Sequence, residues 1–174
     1  VVGEIVDGEL FASPRPAFGH AHVTSSLGVE IGAPFGRGRG GPGGWGIIFE
    51  PELHFGADVL VPDLAGWRKT RMPKPPAPSE PFLTFAPDWV CEVLSPSTVG
   101  LDRVKKKHVY AREGVQHIWF VDPLAKTLEV FRLRDGQWLE LGTFEGDDKV
   151  RAEPFDAIEL ELGVLWVPES VEPR

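Results

Sequence analysis

The sequence has a single cysteine, Cys91, and no long run of apolar residues. One cysteine excludes an internal disulfide and a cysteine-rich zinc site. We expect Cys91 to be a small buried strand residue, as in proteins of the reducing cytoplasm, with a catalytic thiol as the alternative. No stretch reaches the roughly 20 apolar residues of a membrane-spanning helix. The opening VVGEIVDGEL predicts a hairpin rather than a signal peptide.

The sequence also lacks a surplus of basic residues. Its 18 Lys and Arg residues face 26 Asp and Glu residues, which gives a formal net charge of −8. Broad attachment to polyanions needs the opposite balance, so it is not expected, although a locally basic groove stays open. The length of 174 residues and the hydrophobic content of 42%, with six Trp and eleven Phe, predict one globular domain over residues 1–174.

The first half of the chain predicts a hairpin, a helix and two strands. The hairpin covers residues 4–12 around a turn at Asp7–Gly8. Apolar residues at three- to four-residue spacing predict a helix from about residue 20 to residue 31. Residues 47–55 and 58–61 then have the composition of two strands that meet at a glycine turn.

The second half predicts a strand, a helix, a buried strand, a hairpin and at most one short strand in the tail. The strand covers residues 88–95, the helix 102–113 and the buried strand 116–122. The hairpin pairs residues 128–133 with 137–144, and the tail strand falls within 157–167. In the first of these strands, the period of two puts Glu92 on the same face as Val90 and puts Cys91 on the other. The strand–helix–strand unit favours parallel pairing with a right-handed crossover.

Two loops have unusual compositions. Residues 36–46, GRGRGGPGGWG, predict a mobile loop. A phosphate-cradling loop is the alternative, but the sequence lacks the GKS or GKT that would follow. The segment from Arg68 to Pro87 holds six prolines and predicts a lid or a surface crossing, with a proline-recognition ligand as the alternative.

Two carboxylates lie in or beside predicted strands, and a lysine-rich helix follows them. Asp63 lies in VPDLAGW, Glu92 lies in WVCEVLSPST, and the helix is DRVKKKHVYAREGV. Hard cations such as Mg²⁺ bind one or two carboxylates together with water and substrate phosphate. Such a metal polarises a phosphate and activates water, and a lysine can orient that water or stabilise the developing charge. If these segments converge, they indicate metal-assisted phosphodiester hydrolysis.

Each of the two acids also has a structural explanation. A buried Glu92 costs free energy unless it is paired or metal-bound, and a structural Lys or Arg could satisfy it. Asp63 follows Pro62 and could be a turn residue that bonds its own backbone. The occurrence of both acids in this strand order favours the metal site.

Four motifs, taken in order, are similar to those of one family. They are VPDLAGW, CEVLSPST, DRVKKKHVY and GVQHIWFVDP. In this combination the chain resembles the bacterial restriction-endonuclease-like proteins of the PD-(D/E)XK nuclease superfamily, in their poorly characterised endonuclease branch. The opening IVDGELFASPRPAFGH matches the start of that branch. The resemblance therefore covers nearly the whole chain.

The resemblance implies a fold, a metal and a substrate. The fold is α/β (α+β), a mixed central β-sheet flanked by helices. Asp63 and Glu92 are implied as ligands of Mg²⁺ or Mn²⁺, and DNA as the substrate. The lysine that the superfamily places two residues after the glutamate is Leu94 here. In this branch the lysine lies on the following helix, where the matching position is Lys106.

The helical spacing is consistent with a role for Lys106. Asp102, Lys106 and Tyr110 lie four residues apart and share one helix face. Lys105 and Lys107 point about 100° to either side, towards solvent or a nucleic-acid backbone. The alternative is that the whole lysine run is a solvated helix face.

Other polar residues are weaker candidates. His20 matches the histidine that begins the first helix in this branch. It could orient a water or lie near the metal, or it could be a hydrogen-bonded structural histidine. Glu9 on the hairpin is a weaker candidate still. We interpret the remaining acids and histidines as surface or structural residues: Glu50, Glu52, His108 and His117.

The leading hypothesis is a cytoplasmic, Mg²⁺-dependent DNA endonuclease with Asp63, Glu92, Lys106 and His20 as catalytic residues. A catalytically inactive nuclease-fold module for binding or interaction is the alternative. The acidic balance, the displaced lysine and the lack of an aromatic–basic stripe favour that alternative. A third possibility is hydrolysis of another phosphate ester, because metal chemistry alone does not identify the substrate.

The partners are less well defined by the sequence. Basic residues of the proline-rich loop and the second helix could line a DNA groove or only aid solubility. They are Arg68, Lys69, Arg71, Lys74, Lys105 and Lys107. Edge strands and the apolar C-terminal segment IELELGVLWV predict a homodimer. No membrane partner is expected.

Overall fold

A mixed six-stranded sheet forms the centre of the computed structural model, which describes residues 1–169. Its strand order is β10-β9-β8-β7-β6-β3, with β7 and β8 parallel and the other neighbours antiparallel. Two helical segments accompany it, so the predicted α/β fold with a mixed central sheet is confirmed. The strands are β3 (Trp45–Phe49), β6 (Leu64–Arg68), β7 (Trp89–Val93), β8 (His117–Asp122), β9 (Thr127–Arg134) and β10 (Gln137–Glu145).

Two smaller sheets complete the strands of the described chain. A four-stranded sheet has the order β2-β1-β5-β4, and a two-stranded sheet pairs β11 with β12. Their ranges are β1 (Val2–Val6), β2 (Glu9–Ser13), β4 (Leu53–Phe55), β5 (Asp58–Leu60), β11 (Lys149–Val150) and β12 (Leu160–Glu161).

The predicted single strand over residues 47–55 is wrong, because the chain changes sheet in the middle of it. β3 ends at Phe49 in the central sheet, and β4 begins at Leu53 in the small sheet. Glu50 has a positive φ of 44°, and Pro51 has no N–H to continue a ladder. These two residues therefore end one strand and redirect the chain to another sheet.

The helices begin and end close to the predicted positions. α1 (Phe18–Ile31) continues into a π-helical turn, Gly32–Gly36. The second helical segment starts as a π-helix, Leu101–Lys106, and continues as α2 (Lys107–Arg112). Two residues after α2 ends, Gly114 has a φ of 77°, the left-handed conformation that glycine adopts most easily. No helix of residues 1–169 combines the length and the apolar character needed to cross a bilayer.

The two faces of the central sheet belong to two different hydrophobic clusters. Cys91 faces the cluster that contains α1, whereas Val90 and Leu94 face the cluster that contains Tyr110 of α2. The predicted alternation along β7 is therefore confirmed. Cys91 is fully buried as expected, and burial raises the pKa of its thiol well above the usual value. A buried thiol of raised pKa is a poor nucleophile at neutral pH.

An aromatic cluster fixes the C-terminal part of the chain to the central sheet. The Phe155 ring lies between aromatic rings at centroid distances of 4.7–5.6 Å. These rings belong to Phe35, Trp45, Trp89 and Trp119. The C-terminal segment beyond it also buries Leu162 and Leu165 in the same core. Much of this apolar segment therefore packs in the chain's own core, Val164 and Val167 stay exposed, and the homodimer stays a prediction.

The two unusual loops are both tied to the fold by backbone hydrogen bonds. In the glycine-rich loop, Arg39 N donates to Ala33 O at 2.9 Å and Gly43 N donates to Pro34 O at 2.8 Å. The proline-rich loop returns to the small sheet, where Leu83 bridges to Leu53. Each loop therefore has a defined path.

We predict that Phe155→Ala lowers the free energy of unfolding by about 3–5 kcal/mol, because it leaves a cavity between four aromatic rings. Chemical denaturation followed by Trp fluorescence measures this loss. The matched control is Phe18→Ala, at a ring that is 73% exposed, where we expect a change within about 0.5 kcal/mol. Similar losses for the two variants would contradict the assigned core.

Candidate active site

One cleft of about 300 Å³ collects the sequence-predicted residues. It lies where the β1–β2 hairpin and the start of α1 meet the segment before β6, the end of β7 and the second helical segment. Its polar lining includes Glu4, Arg15, His20, Glu50, Asp63, Glu92, Asp102 and Lys106. The structure therefore brings Asp63, Glu92, Lys106 and His20 together in a single concave site.

Asp63 connects three parts of the chain at the entrance to β6. Its Oδ2 accepts a hydrogen bond from Val93 N at 2.7 Å, and its Oδ1 lies 3.2 Å from His20 Nε2. The Asp63 carboxylate is thus anchored to β7 and to α1, not only to its own turn. The side chain stays 15% exposed and faces the cleft.

Glu92 lies in β7 and is almost completely buried, at 2% exposure. Its Oε1 accepts a hydrogen bond from the Tyr110 hydroxyl at 2.6 Å and lies 2.7 Å from Lys106 Nζ. Burial of a carboxylate is costly unless such partners are present. The second helical segment supplies both partners, because Lys106 and Tyr110 are four residues apart and therefore lie on the same helix face.

The Lys106 ammonium is the centre of a buried charge cluster. Its Nζ lies 2.7 Å from Glu92 Oε1, 2.8 Å from Glu4 Oε1 and 3.4 Å from Asp102 Oδ1. The side chain is only 1% exposed, so the interpretation of the whole lysine run as a solvated face is wrong. Lys105 differs, because its Nζ pairs with Glu9 at 2.7 Å on the surface.

The pKa shifts in the cluster favour retained protons. Burial raises the pKa of Glu92 well above its usual value, and Lys106 counteracts this only in part. Burial alone would lower the pKa of Lys106, but Glu92, Asp102 and Glu4 outweigh it and raise that pKa well above the usual value. The three neighbouring carboxyl groups therefore keep Lys106 charged, and the raised pKa values of Glu92 and Asp102 make the simultaneous ionisation of these two acids unfavourable.

His20 occupies the side of the cleft formed by α1. Burial opposes its charge, but the hydrogen bond and the charge of Asp63 outweigh that effect, so the pKa of His20 is raised. Its Nδ1 is buried and has no hydrogen-bond partner within residues 1–169. Nε2 is engaged by Asp63, which leaves Nδ1 as the ring atom with unused hydrogen-bonding capacity.

Glu4 is a cleft residue that sequence reasoning missed. It is 5% exposed, accepts a hydrogen bond from Val61 N at 2.7 Å and contacts Lys106. The available signal was the period of two in β1, which places Glu4 on the same inward side as Val6. Glu9, the weaker candidate from the sequence, lies in β2 and pairs with Lys105 instead.

Glu50 is a second acid whose position differs from the expectation. Glu50 is exposed, as expected of a surface acid, but it follows β3 in the turn instead of lying on a strand, and it lines the cleft. Glu52 does lie at the surface and pairs with His54 at 2.7 Å. His117 pairs with Glu153 at 3.0 Å, which agrees with a structural role.

The basic residues suggested for one DNA groove lie on separate surfaces. Arg71 pairs with Asp88, and Arg68 stacks over the Trp45 ring at 4.5 Å. Lys107 Nζ lies 4.0 Å from the centroid of the Phe131 ring, and burial lowers its pKa. A single groove lined by these cations is therefore not formed.

The cleft contains carboxylate oxygens of the kind that a hard divalent cation binds, although they do not form a complete cage. Asp63 and Glu92 both reach the cleft, and Mg²⁺ commonly takes one or two carboxylates plus water and phosphate oxygens. No group of three or more His, Cys, Asp or Glu side chains in residues 1–169 is arranged to hold a metal. A cation bound here would take its remaining ligands from water and substrate.

We predict that Lys106→Met destabilises the fold by about 3–5 kcal/mol at pH 8, because it leaves buried acids without a counter-charge. The loss shrinks at pH 5. Acids of raised pKa bind protons more readily in the folded than in the unfolded state, so lowering the pH removes the penalty. Urea unfolding at both pH values measures this. Lys105→Met is the surface control, and equal losses for Lys106→Met at the two pH values would contradict the charge cluster.

Comparison with known proteins places this geometry in a known fold. A crystal structure from Anabaena variabilis, described as a "putative nuclease belonging to DUF820", superposes with a TM-score of 0.76 and 23% identity. The match covers 94% of this chain and 88% of that one, and at this identity it shows the fold. No curated protein matches the sequence. The Uma2 family, described as "Putative restriction endonuclease", matches residues 3–164. Because that match spans most of the sequence, the chain belongs to the Uma2 family.

Proposed function

We propose that this protein is a metal-dependent endonuclease that hydrolyses DNA phosphodiester bonds. The observation that carries the proposal is the convergence of Asp63, Glu92, Lys106 and His20 in one cleft. The family description, which names a restriction endonuclease, supports the same reaction class. Asp63 and Glu92 are the proposed ligands of Mg²⁺ or Mn²⁺.

The charge of the cleft supports a requirement for a divalent cation. Its lining carries five acids, Glu4, Glu50, Asp63, Glu92 and Asp102, against Lys106, Arg15 and His20. The raised pKa values of Glu92 and Asp102 reduce this surplus in the empty cleft, and a divalent cation would favour the ionised form of both acids. When bound, the cation supplies the counter-charge, polarises the phosphate and lowers the pKa of a water.

Lys106 and Tyr110 have a positioning role towards Glu92. The Lys106 ammonium and the Tyr110 hydroxyl both contact Glu92 Oε1. These two contacts fix the orientation of the Glu92 carboxylate relative to the cleft. The Lys106 charge, maintained by its raised pKa, also stabilises negative charge that develops on the phosphate oxygens.

His20 has two proposed roles. Its Nε2 contact holds Asp63, whose other oxygen is already fixed by Val93 N. In the neutral ring with the proton on Nε2, Nδ1 presents a lone pair and can accept a proton from the attacking water. Because Nδ1 is buried and the contact with Asp63 raises the pKa of His20, this second role requires that a water reaches Nδ1 and that the ring is neutral.

We predict that Asp63→Asn and Glu92→Gln each lower Mg²⁺- or Mn²⁺-dependent plasmid cleavage by about 100-fold or more, the scale seen when one electrostatic group leaves an active site. A gel assay of supercoiled plasmid measures the rate. Asp156→Asn and Glu159→Gln, at exposed acids outside the cleft, are matched isosteric controls. Equal cleavage by the parent, Asp63→Asn and Glu92→Gln would discard the proposal.

A catalytically inactive binding module is the second candidate. The observation that favours it is the pairing of Glu92 with Lys106 and Tyr110, which satisfies this acid without a metal. We predict that isothermal titration detects Mn²⁺ binding by the parent at millimolar metal or below, and that Asp63→Asn abolishes it. Absence of binding by the folded parent would favour the inactive module.

A further inference from the structure

A second groove runs beside the candidate active site, between α1 and the edge strand β3. It has a volume of about 790 Å³, and we call it the β3 groove. The residues that line it come from α1, the glycine-rich loop, β3 and the residue after β6. They are Gly28, Val29, Gly32, Ala33, Gly36, Arg37, Arg39, Trp45, Gly46, Ile47, Phe49 and Lys69.

The β3 groove is cationic in a chain of net charge −8. Arg37, Arg39 and Lys69 line it, and no Asp or Glu does. All three cations are exposed, and none forms an ion pair within residues 1–169. Their backbones are fixed: Arg37 N donates to Gly32 O at 3.0 Å, and Lys69 N donates to Gly44 O at 2.9 Å. The groove therefore presents three unpaired positive charges from defined positions.

Two glycines that line the groove, Gly32 and Gly46, are not needed there to avoid a steric clash. A Cβ built at Gly32 or at Gly46 would meet no heavy atom within 4 Å, and neither residue has a positive φ. Ordinary side chains would therefore fit at both positions, and they would project into the groove. The absence of those side chains maintains a channel between α1 and β3.

Consecutive residues line the β3 groove and the candidate active site. Phe49 lines the groove, and Glu50 lines the cleft. The Phe49 ring packs directly on Gly28, where an added Cβ would lie 1.9 Å from the ring, and the ring is still 49% exposed. It thus offers a fixed aromatic surface next to Glu50 in the chain. Glu50 N donates to Asp63 O at 3.1 Å, which ties Glu50 to the proposed metal ligand.

We propose that the β3 groove binds the sugar–phosphate backbone of the DNA whose scissile phosphodiester enters the cleft. This inference rests on the proposed function, because it assigns the groove to the same substrate. At about 3.3 Å per residue, a five-residue strand such as β3 spans about 16 Å, the axial length of about five phosphates of one duplex strand. Lys69, whose N–H bonds Gly44 just before β3, and Arg37 and Arg39 of the loop that leads into β3 neutralise backbone phosphates, and Phe49 marks the end of β3 next to the cleft residue Glu50.

A second copy of this chain is the competing occupant, because β3 is an edge strand and Ile48 and Phe49 are half exposed. The three unpaired cations favour DNA, since an edge-to-edge contact of two identical copies would bring like charges together. Self-association through this groove is therefore an outcome that the experiment must separate from DNA binding.

The test compares two triple variants by fluorescence anisotropy with a short fluorescein-labelled DNA duplex, in the Glu92→Gln background that prevents cleavage. Arg37→Gln, Arg39→Gln and Lys69→Gln together remove the groove charges. Lys126→Gln, Arg134→Gln and Arg151→Gln together are the matched control at cations outside the groove. For the groove variant we expect affinity to fall at least about tenfold, and the slope of log K against log [salt] to become shallower by about 2–3. The control triple should stay within about twofold.

A second variant tests the shape of the groove without a change of charge. Gly32→Gln keeps helical backbone geometry and fills the channel, so it should weaken duplex binding while its thermal unfolding stays close to that of the parent. Equal weakening by the control triple, unchanged affinity in the groove variants, or no duplex binding by the parent would overturn the inference. A change in sedimentation on Phe49→Ser with unchanged DNA affinity would overturn it in favour of self-association.

The outcomes separate this inference from the proposed function. If the parent binds duplex through the three cations but never cleaves plasmid, the groove assignment stands and the endonuclease proposal fails. If the parent cleaves plasmid, and the groove variants bind and cleave as the parent does, the endonuclease proposal stands and the groove assignment fails.

Discussion

The candidate site depends on one buried ammonium group. Lys106 is surrounded by Glu4, Glu92 and Asp102, which come from β1, β7 and the π-helix of the second helical segment. Three carboxyl groups cannot share a dry site without a counter-charge, because desolvation and mutual repulsion both oppose their ionisation. The Lys106 side chain therefore holds together parts of the chain that are about 90 residues apart. It also determines where the Glu92 carboxylate can point.

A second set of contacts extends this order to the other proposed ligand. Asp63 is held by Val93 N, the residue after Glu92, and by His20 of α1. The two carboxylates are thus positioned by adjacent parts of β7, although they are far apart in sequence. On the proposed function, this arrangement fixes the ligands before substrate arrives, which is the condition for effective electrostatic catalysis. On the two proposals, the acidic cleft binds the cation and the basic β3 groove binds the sugar–phosphate backbone of the DNA.

Side-chain positions could be predicted where the sequence has a clear helical or strand period. The positions of isolated residues could not. The alternation in β7 predicted which face of the strand Glu92 occupies, and the four-residue spacing predicted that Lys106 and Tyr110 share one helix face. That this helix face contacts Glu92 is seen only in the structure. Glu4 was missed because one inward acid in a five-residue strand looks like any surface acid. The change of sheet at Pro51 was missed because the residues on both sides have strand composition. The burial of the C-terminal segment depends on aromatic rings from distant strands, which no local pattern shows.

Leu94 belongs to the same apolar cluster as Tyr110, which accounts for the lack of a lysine at this position.

The central claim is that Asp63 and Glu92 hold one divalent cation in the cleft. Anomalous X-ray scattering from a crystal of the full chain soaked in MnCl₂ tests it most directly. We expect one Mn²⁺ peak in contact with a carboxylate oxygen of each of these acids. A crystal without a peak between them, in which both acids retain only their protein contacts at the same metal concentration, would contradict it.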